Sequence, residues 1–525
     1  MNDTASPSST SNQTPPPDQT SAPTPPQDKA LASAQTSAPA SAPESSVPES
    51  SVPRKKKRRK KKPPLLRLLW SVPFLSSVLL LLCIIAAVLA FRRGHAGTGE
   101  PKVNPEETVL AEETPPETTL SAEEVRQNVL NTAAHMAAQY DYDGAIDLLT
   151  SSDIADGEDV QAAIAEYEQI KTTLVRQNPQ EITHVFFHIL VMDNSRTFDG
   201  DYKQDDYNQV MTTRSEFEKI LDHMYARGFV LVRLHDIAKL EPDENGQMKM
   251  TAQDIMLPEG KKAFVMSQDD VCYYEYMEGD GFATKMIVGE DGRPTCEMPM
   301  PDGTIVTGDY DLVPILDHFI DEHPDFSYRG AKACLAFTGY NGILGYRTDP
   351  SYETNADFLK DHPDFNIEAE RQEAMKVAAC LIEDGYELAS HSWGHRNMGT
   401  ISLEKLVEDT NKWENFVAPL IGDTDIILFP FGSDIGDWHP YDTSSPRYQT
   451  LYNAGFRYFC NVDSNQYYVQ IGDEYMRQGR RNLDGYRMYY DLPENNPSKT
   501  HLEDLFPVEE VFDRTRPVPV PPMGG

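Results

Sequence analysis

Residues from Glu181 onward predict a parallel α/β fold, on two observations. Short apolar runs alternate there with segments of helical period, as strands joined by crossover helices do. The runs are of the continuous kind that makes a buried strand, covered on both faces. Helices therefore lie outside a parallel sheet, either as a barrel or as a doubly wound sheet.

The elements follow in order. ITHVFFHILVM (182–192) reads as a buried strand. SEFEKILDHMYARGF (215–229) carries apolar residues at helical spacing and leads into the short strand VLVRL. KAFVMS (262–267) and KACLAFTG (332–339) are further strands. The helix EAERQEAMKVAACLIEDGY (368–386) precedes the strand ELAS. TDIILFPFG (424–432) and FRYFCNVD (456–463) complete the series. Residues 271–331 form an insertion with two turn signals, GEDGRP and MPDGT, which suit an appended β-hairpin.

Upstream, residues 1–64 read as a disordered tail of Ser, Thr, Pro, Ala and Gln ending in the basic run RKKKRRKKK (54–62). Residues 65–91 read as a transmembrane helix: from Trp70 to Phe91 there are 22 residues without a charge, enough to cross roughly 30 Å of hydrocarbon. A cleaved signal peptide is the alternative, although it would lie nearer the N-terminus and have a shorter apolar core. Nine basic residues on one flank against Arg92 and Arg93 on the other place the tail in the cytoplasm and the remainder outside. Residues 92–120 look like a spacer. Residues 121–178 form a small helical segment, opened by the capping box SAEE and better read as a helical stalk or a brace for the next domain than as a repeat array. The catalytic-type domain spans 179–515.

The 525 residues suffice for two or three domains. Net charge is −36; residues 1–93 hold 13 basic and 5 acidic side chains, so the rest carries −44. A domain that acidic is a poor nucleic-acid binder, and no nucleic-acid partner is expected. Beyond Cys83, five cysteines at irregular spacing without a CxxC read as core thiols.

Chemistry in α/β folds collects where strands end. The run AFVMSQDD (263–270) stops in Asp269 and Asp270, and ELASHSWGHRN places His391 and His395 just after another strand. Two His four apart with one carboxylate make a divalent-metal site with open positions, zinc being the natural ion. Such an ion lowers the pKa of a water toward about 7 and polarises a carbonyl. One aspartate suffices for the metal, which leaves the other free to take a proton.

Over roughly residues 180–490 these stretches resemble the polysaccharide deacetylases of carbohydrate esterase family 4. HSWGH matches the family's H-S/T-x-x-H motif in full, while SQDD (for T/S-F-D-D) and LFPFG at 428–432 (for R-x-P-Y/F-G) match in part. The resemblance implies a deformed (β/α) barrel of the polysaccharide deacetylase type that removes acetyl groups from N-acetylglucosamine in a glycan. By position, Asp269 is the general base, and Asp270, His391 and His395 are the metal ligands. Pro430, Phe431 and Gly432 form a groove wall, with the Phe431 N–H at the oxyanion. Trp393 is a candidate for lining the sugar site.

The sequence departs from the family in two places. Leu428 stands where the third motif has an Arg that pairs with the catalytic carboxylate; Arg480 and Arg481, in RQGRRNLDGYR, are the candidates to replace it. No late strand bears the Leu-His of the general acid. The order VFFHILV, helix, GFVLVRL, SQDD is similar to that of the circularly permuted, exported poly-N-acetylglucosamine deacetylases, which makes His188 the candidate acid and His184 the weaker one.

The expectation is thus a single-pass, membrane-anchored, extracellular, zinc-dependent polysaccharide de-N-acetylase acting on a cell-envelope or extracellular glycan, in a bacterium. A non-catalytic glycan-binding descendant and a metal hydrolase of another acyl substrate are the alternatives.

Overall fold

The computed structural model describes residues 121–463, 465–497 and 500–523. The tail, the basic run, the expected membrane span 65–91 and the spacer all lie outside the described residues. Among the described residues no helix is long and apolar enough to cross a membrane.

Eight parallel strands build the sheet: β1 (Thr183–Phe187), β2 (Phe229–Leu231), β3 (Lys262–Gln268), β4 (Cys334–Phe337), β5 (Glu387–Ser390), β6 (Ile426–Leu428), β7 (Tyr458–Val462) and β8 (Met476–Asn482). All but β2 close into a ring in the order β1, β3, β4, β5, β6, β7, β8, with β8 paired back onto β1 through Arg480↔His184 and Asn482↔Phe186. The closed ring decides for the barrel over the doubly wound sheet. β2 pairs with the first residues of β3, Lys262 to Phe264, whereas β4 pairs with its last two, Ser267 and Gln268. The strand Val469–Ile471 likewise lies antiparallel against the start of β8. The barrel is thus splayed at its N-terminal end and closed at its C-terminal end.

Side chains alternate across each strand, so the continuous apolar runs feed two cores. Val265, Ala336, Ala389, Leu428 and Cys460 fill the lumen. Val185, Phe187, Leu335, Ile427 and Phe459 face the outer helices. Toward the C-terminal end the lumen turns polar, with His184, Ser267, Gln478 and Arg480 all buried there.

β8 was not foreseen as a strand. MRQGRRN has the composition of an exposed loop, yet all but the last of its residues are buried. Inward, Gln478 meets the His184 ring at 3.1 Å and Arg480 meets Asp269. Outward, Arg477 pairs with Asp434, and Arg481 with Asp504. Most strands are shorter than expected: β1 stops at Phe187, β4, β6 and β7 keep only the middle of their apolar runs, and VLVRL gives way after Leu231 to the short helix Leu234–Ile237, capped by Arg233 and Asp236.

The helical segment is three helices, α1 (Ala122–Ala138), α2 (Tyr142–Ser151) and α3 (Glu158–Lys171). The expected capping box is present at Ser121 and Glu124. Ala133, Ala137, Tyr140 and Leu149 belong to the same buried cluster as Val232, Leu234, Ile237 and the lumen residues. Residues 232–238 cross the N-terminal mouth of the barrel, and the helices brace that floor. The insertion forms a three-stranded antiparallel sheet, Lys285–Val288, Pro294–Pro299 and Ile305–Gly308, followed by the helix Leu312–Glu322.

The floor contains a charged bridge. His235 meets Glu387 at 2.5 Å through Nδ1 and Asp425 at 3.1 Å through Nε2, which ties the short helix to the starts of β5 and β6. Burial opposes the imidazolium, but the two carboxylates outweigh it and raise the pKa from 6.5 to about 10. A raised folded-state pKa contributes stability that is complete below pH 6.5 and lost as the pH rises through 10. Thermal melts of the wild type should therefore fall between these limits, and His235→Gln should remove that part of the slope. An identical slope in the variant would assign the pH dependence elsewhere.

Candidate functional site

Asp269 continues β3 inward, and its N–H donates to Phe187 O at 2.8 Å. A regular strand would send the next side chain to the opposite face. Asp270 instead adopts a left-handed φ of 58°, which ends the strand and directs both carboxylates to the C-terminal end of the barrel. Ser392 (φ 59°), His395 (φ 47°) and Phe431 (φ 57°) share this uncommon conformation. Such strain concentrates at sites where position outweighs stability.

Asp270, His391 and His395 each offer a ligand atom within 4.8 Å of the other two. The donor set, two imidazoles and one carboxylate, suits a divalent ion of the zinc class. Two of the three donors are oriented by hydrogen bonds. His391 Nδ1 lies 2.7 Å from Leu428 O, which can only accept; Nδ1 therefore carries the proton and Nε2 keeps its lone pair. Asp270 Oδ1 accepts from the Tyr274 hydroxyl at 2.5 Å, and that hydroxyl also lies 2.7 Å from Thr338 Oγ1. This leaves Asp270 Oδ2 facing His395 Nε2 at 3.6 Å. Burial pushes the His395 pKa down to about 4, so its ring is neutral and free to coordinate at neutral pH. Burial opposes the charge of Asp270, but His395 and His391 outweigh it and lower its pKa.

Asp269 lies beside this group. Its Oδ1 accepts from Arg480 Nη1 at 2.6 Å, and its Oδ2 lies 3.7 Å from His391 Nε2. Both partners of the ion pair are almost fully buried. Burial works against the Asp269 charge, yet the Arg480 guanidinium, followed by His391, keeps the carboxylate ionised well below its usual range. The cationic face of Arg480 rests 4.4 Å from the Phe186 ring centre. Arg480 and Arg481 therefore separate: the first reaches the site from inside the barrel, while the second points outward to Asp504 and the His501 carbonyl.

His188 follows β1 and is half-buried. Its Nδ1 meets Val210 O at 3.1 Å, which sets the tautomer and frees Nε2. It is a near neighbour of Asp269, Asp270 and His395. His184 lies deeper in the lumen, with Gln478 on one ring nitrogen and Ser267, at 2.9 Å, on the other; burial, then the Arg480 charge, hold its pKa far below the usual value.

Pro430, Phe431 and Gly432 form a turn directly after β6. The Phe431 ring packs 4.6 Å from that of His395 and stays half exposed. A side chain at Gly432 would meet Val462 Cβ at 2.4 Å, so only glycine lets this turn sit against β7. The Trp393 ring is packed against Gly339 and Val417, with the Lys412 ammonium 4.4 Å from its ring centre.

Three residues have roles at the site that the sequence reading did not assign. The Tyr274 hydroxyl orients Asp270, although nothing in YYEYM tells a buried hydroxyl from a packing ring. Gln268, where the resembled motif has Phe, donates to His188 O at 3.2 Å and to Asp311 Oδ1 at 2.9 Å, tying β3 to the His188 turn. Asp484 is buried after β8, near His188. Only its place in LDGYR, as a helix N-cap, could have marked it.

No family model matches this sequence, and no curated protein matches it. A solved structure that does match is "Streptococcus pyogenes deacetylase PplD in complex with acetate", at 12% sequence identity over 62% of this chain and 97% of that one, with a TM-score of 0.31. At that score the likeness carries no weight for function.

Proposed function

We propose that this protein is a metal-dependent deacetylase that removes N-acetyl groups from a polysaccharide containing N-acetylglucosamine, anchored by residues 65–91 with its catalytic domain outside the cell. One observation carries the reading: Asp269, paired with Arg480, lies beside Asp270, His391 and His395 at the closed, C-terminal end of a (β/α) barrel.

Asp270, His391 and His395 would hold the ion, most naturally zinc. Such an ion supplies an acidified water and polarises the acyl carbonyl. Asp269 is the ionised carboxylate left to take a proton, and Arg480 fixes its direction. The Phe431 N–H serves the developing oxyanion. His188, held through Nδ1, gives the Nε2 proton of its doubly protonated ring to the departing amine and is left with the Nδ1 proton alone. Leu428, which replaces the Arg of the resembled motif, serves through its carbonyl on His391, and Arg480 supplies the guanidinium from another strand.

The test is acetate release by the full-length protein from N-acetylglucosamine oligomers, with zinc and after chelation. Release that chelation abolishes and zinc restores is expected. A zinc-loaded protein that releases no acetate would end this reading in favour of another acyl substrate, and one that neither binds metal nor releases acetate would point to a binding protein.

Tyr274→Phe removes the hydroxyl from Asp270 while keeping the ring. Partners of metal ligands typically set about 10- to 100-fold in affinity. The variant should lose zinc at chelator concentrations the wild type withstands. Equal retention would show that Tyr274 only packs.

A further inference from the structure

Beside Asp270 stand three near-parallel tyrosine rings. Tyr274 is central, with its ring 5.4 Å and 14° from that of Tyr276 and 5.3 Å and 23° from that of Tyr340. The central ring is 4% exposed and is moored by its hydroxyl to Asp270. The outer two are 52% and 36% exposed. The outer two therefore present surface to solvent beside the ligand group.

The stack is held rigidly. The Tyr340 N–H donates to Trp393 O at 3.0 Å, and a Cβ on its neighbour Gly339 would strike the Trp393 ring at 2.3 Å. Tyr276 lies in a short turn whose Glu275 N–H donates to Asn341 Oδ1 at 3.0 Å and whose carbonyl accepts from Lys203 Nζ at 2.7 Å. Rings fixed before a ligand arrives lose little entropy when it binds. At another edge of the ligand group the half-exposed Phe431 ring lies on His395. The polar centre is therefore flanked by aromatic surface on two sides.

We propose that Tyr276 and Tyr340 form a ring-stacking subsite for a sugar adjoining the one that is deacetylated, so that the substrate is an N-acetylated glycan chain and not an acetylated peptide or a small amide. A pyranose presents an apolar face of C–H bonds to an aromatic ring and its hydroxyls at the rim, which matches flat rings bordered by tyrosine hydroxyls. An acetyl-lysine stem is a single methylene chain with no second ring to place, and a small amide does not extend beyond the ligand group. The proposal rests on the reading of the site as a deacetylase.

The test compares two substrates in the full-length protein, a pentamer of N-acetylglucosamine and 4-nitrophenyl acetate. Tyr276→Ala and Tyr340→Ala should each lower the ratio of pentamer to aryl-acetate kcat/KM by roughly tenfold, the equivalent of about 1.4 kcal/mol. The Phe variants, which keep the stacking face, should retain most of it. An unchanged ratio in both Ala variants overturns the subsite. Calorimetric titration of the pentamer separates the two readings: binding that is lost in Tyr276→Ala upholds the subsite even if no acetate is released, and absence of pentamer binding to the wild type overturns it even if the aryl acetate is cleaved.

Discussion

Asp269→Asn is expected to lower kcat for acetate release by about 10²- to 10⁴-fold, the usual contribution of a positioned general base. Asparagine has the same shape and can still accept from Arg480, so the neighbouring groups should keep their places. The ligand set Asp270, His391 and His395 is untouched, and zinc should remain bound in one equivalent per chain. This separates Asp269 from its neighbour: Asp270→Ala should lose the metal and the activity together. A kcat for Asp269→Asn within about threefold of the wild type would remove Asp269 from the proton transfer and leave His188 to be tested as the sole proton-handling group.

The second large effect concerns stability. Arg480 is fully buried and Asp269 nearly so. Removing one partner of such a pair leaves an uncompensated charge in the barrel, at a cost of about 3–5 kcal/mol. Arg480→Met should show this in urea unfolding. Arg480→Lys should recover only part of it, because an ammonium cannot reproduce the planar face that lies on Phe186. In the double variant Arg480→Met/Asp269→Asn the loss should be smaller than the sum of the single losses. Additivity within about 0.5 kcal/mol would mean that the two side chains are energetically independent.

The origin of Arg480 shows where the sequence could be read and where it could not. Asp269, Asp270, His391 and His395 stood out because each pair directly follows an apolar run, so that local pattern and chemistry coincide. Arg480 was only one of two adjacent arginines. The barrel lumen changes from apolar at the floor to polar near the site, and a strand passing through that polar layer loses the apolar signature by which strands are recognised. Once β8 is seen as a strand, alternation separates the two residues: Arg480 takes the inward face and Arg481 the outward one. Tyr274 was obscured for a different reason. Its ring packs as any tyrosine in YYEYM would, and its contribution lies in one hydroxyl whose partner, Asp270, points toward it only because of a left-handed backbone angle. The floor was legible in kind but not in place. The period of residues 121–178 predicts helices that serve as a stalk or a brace, while the surface they brace is assembled from residues 232–238 and strands distant in sequence.

That floor also sets a direction. The described chain enters through α1, whose C-terminal half is packed beneath the barrel, and the carboxylates and imidazoles open at the opposite end. The two ends of the barrel thus have separate duties: one carries the helical brace, and the other carries the chemistry.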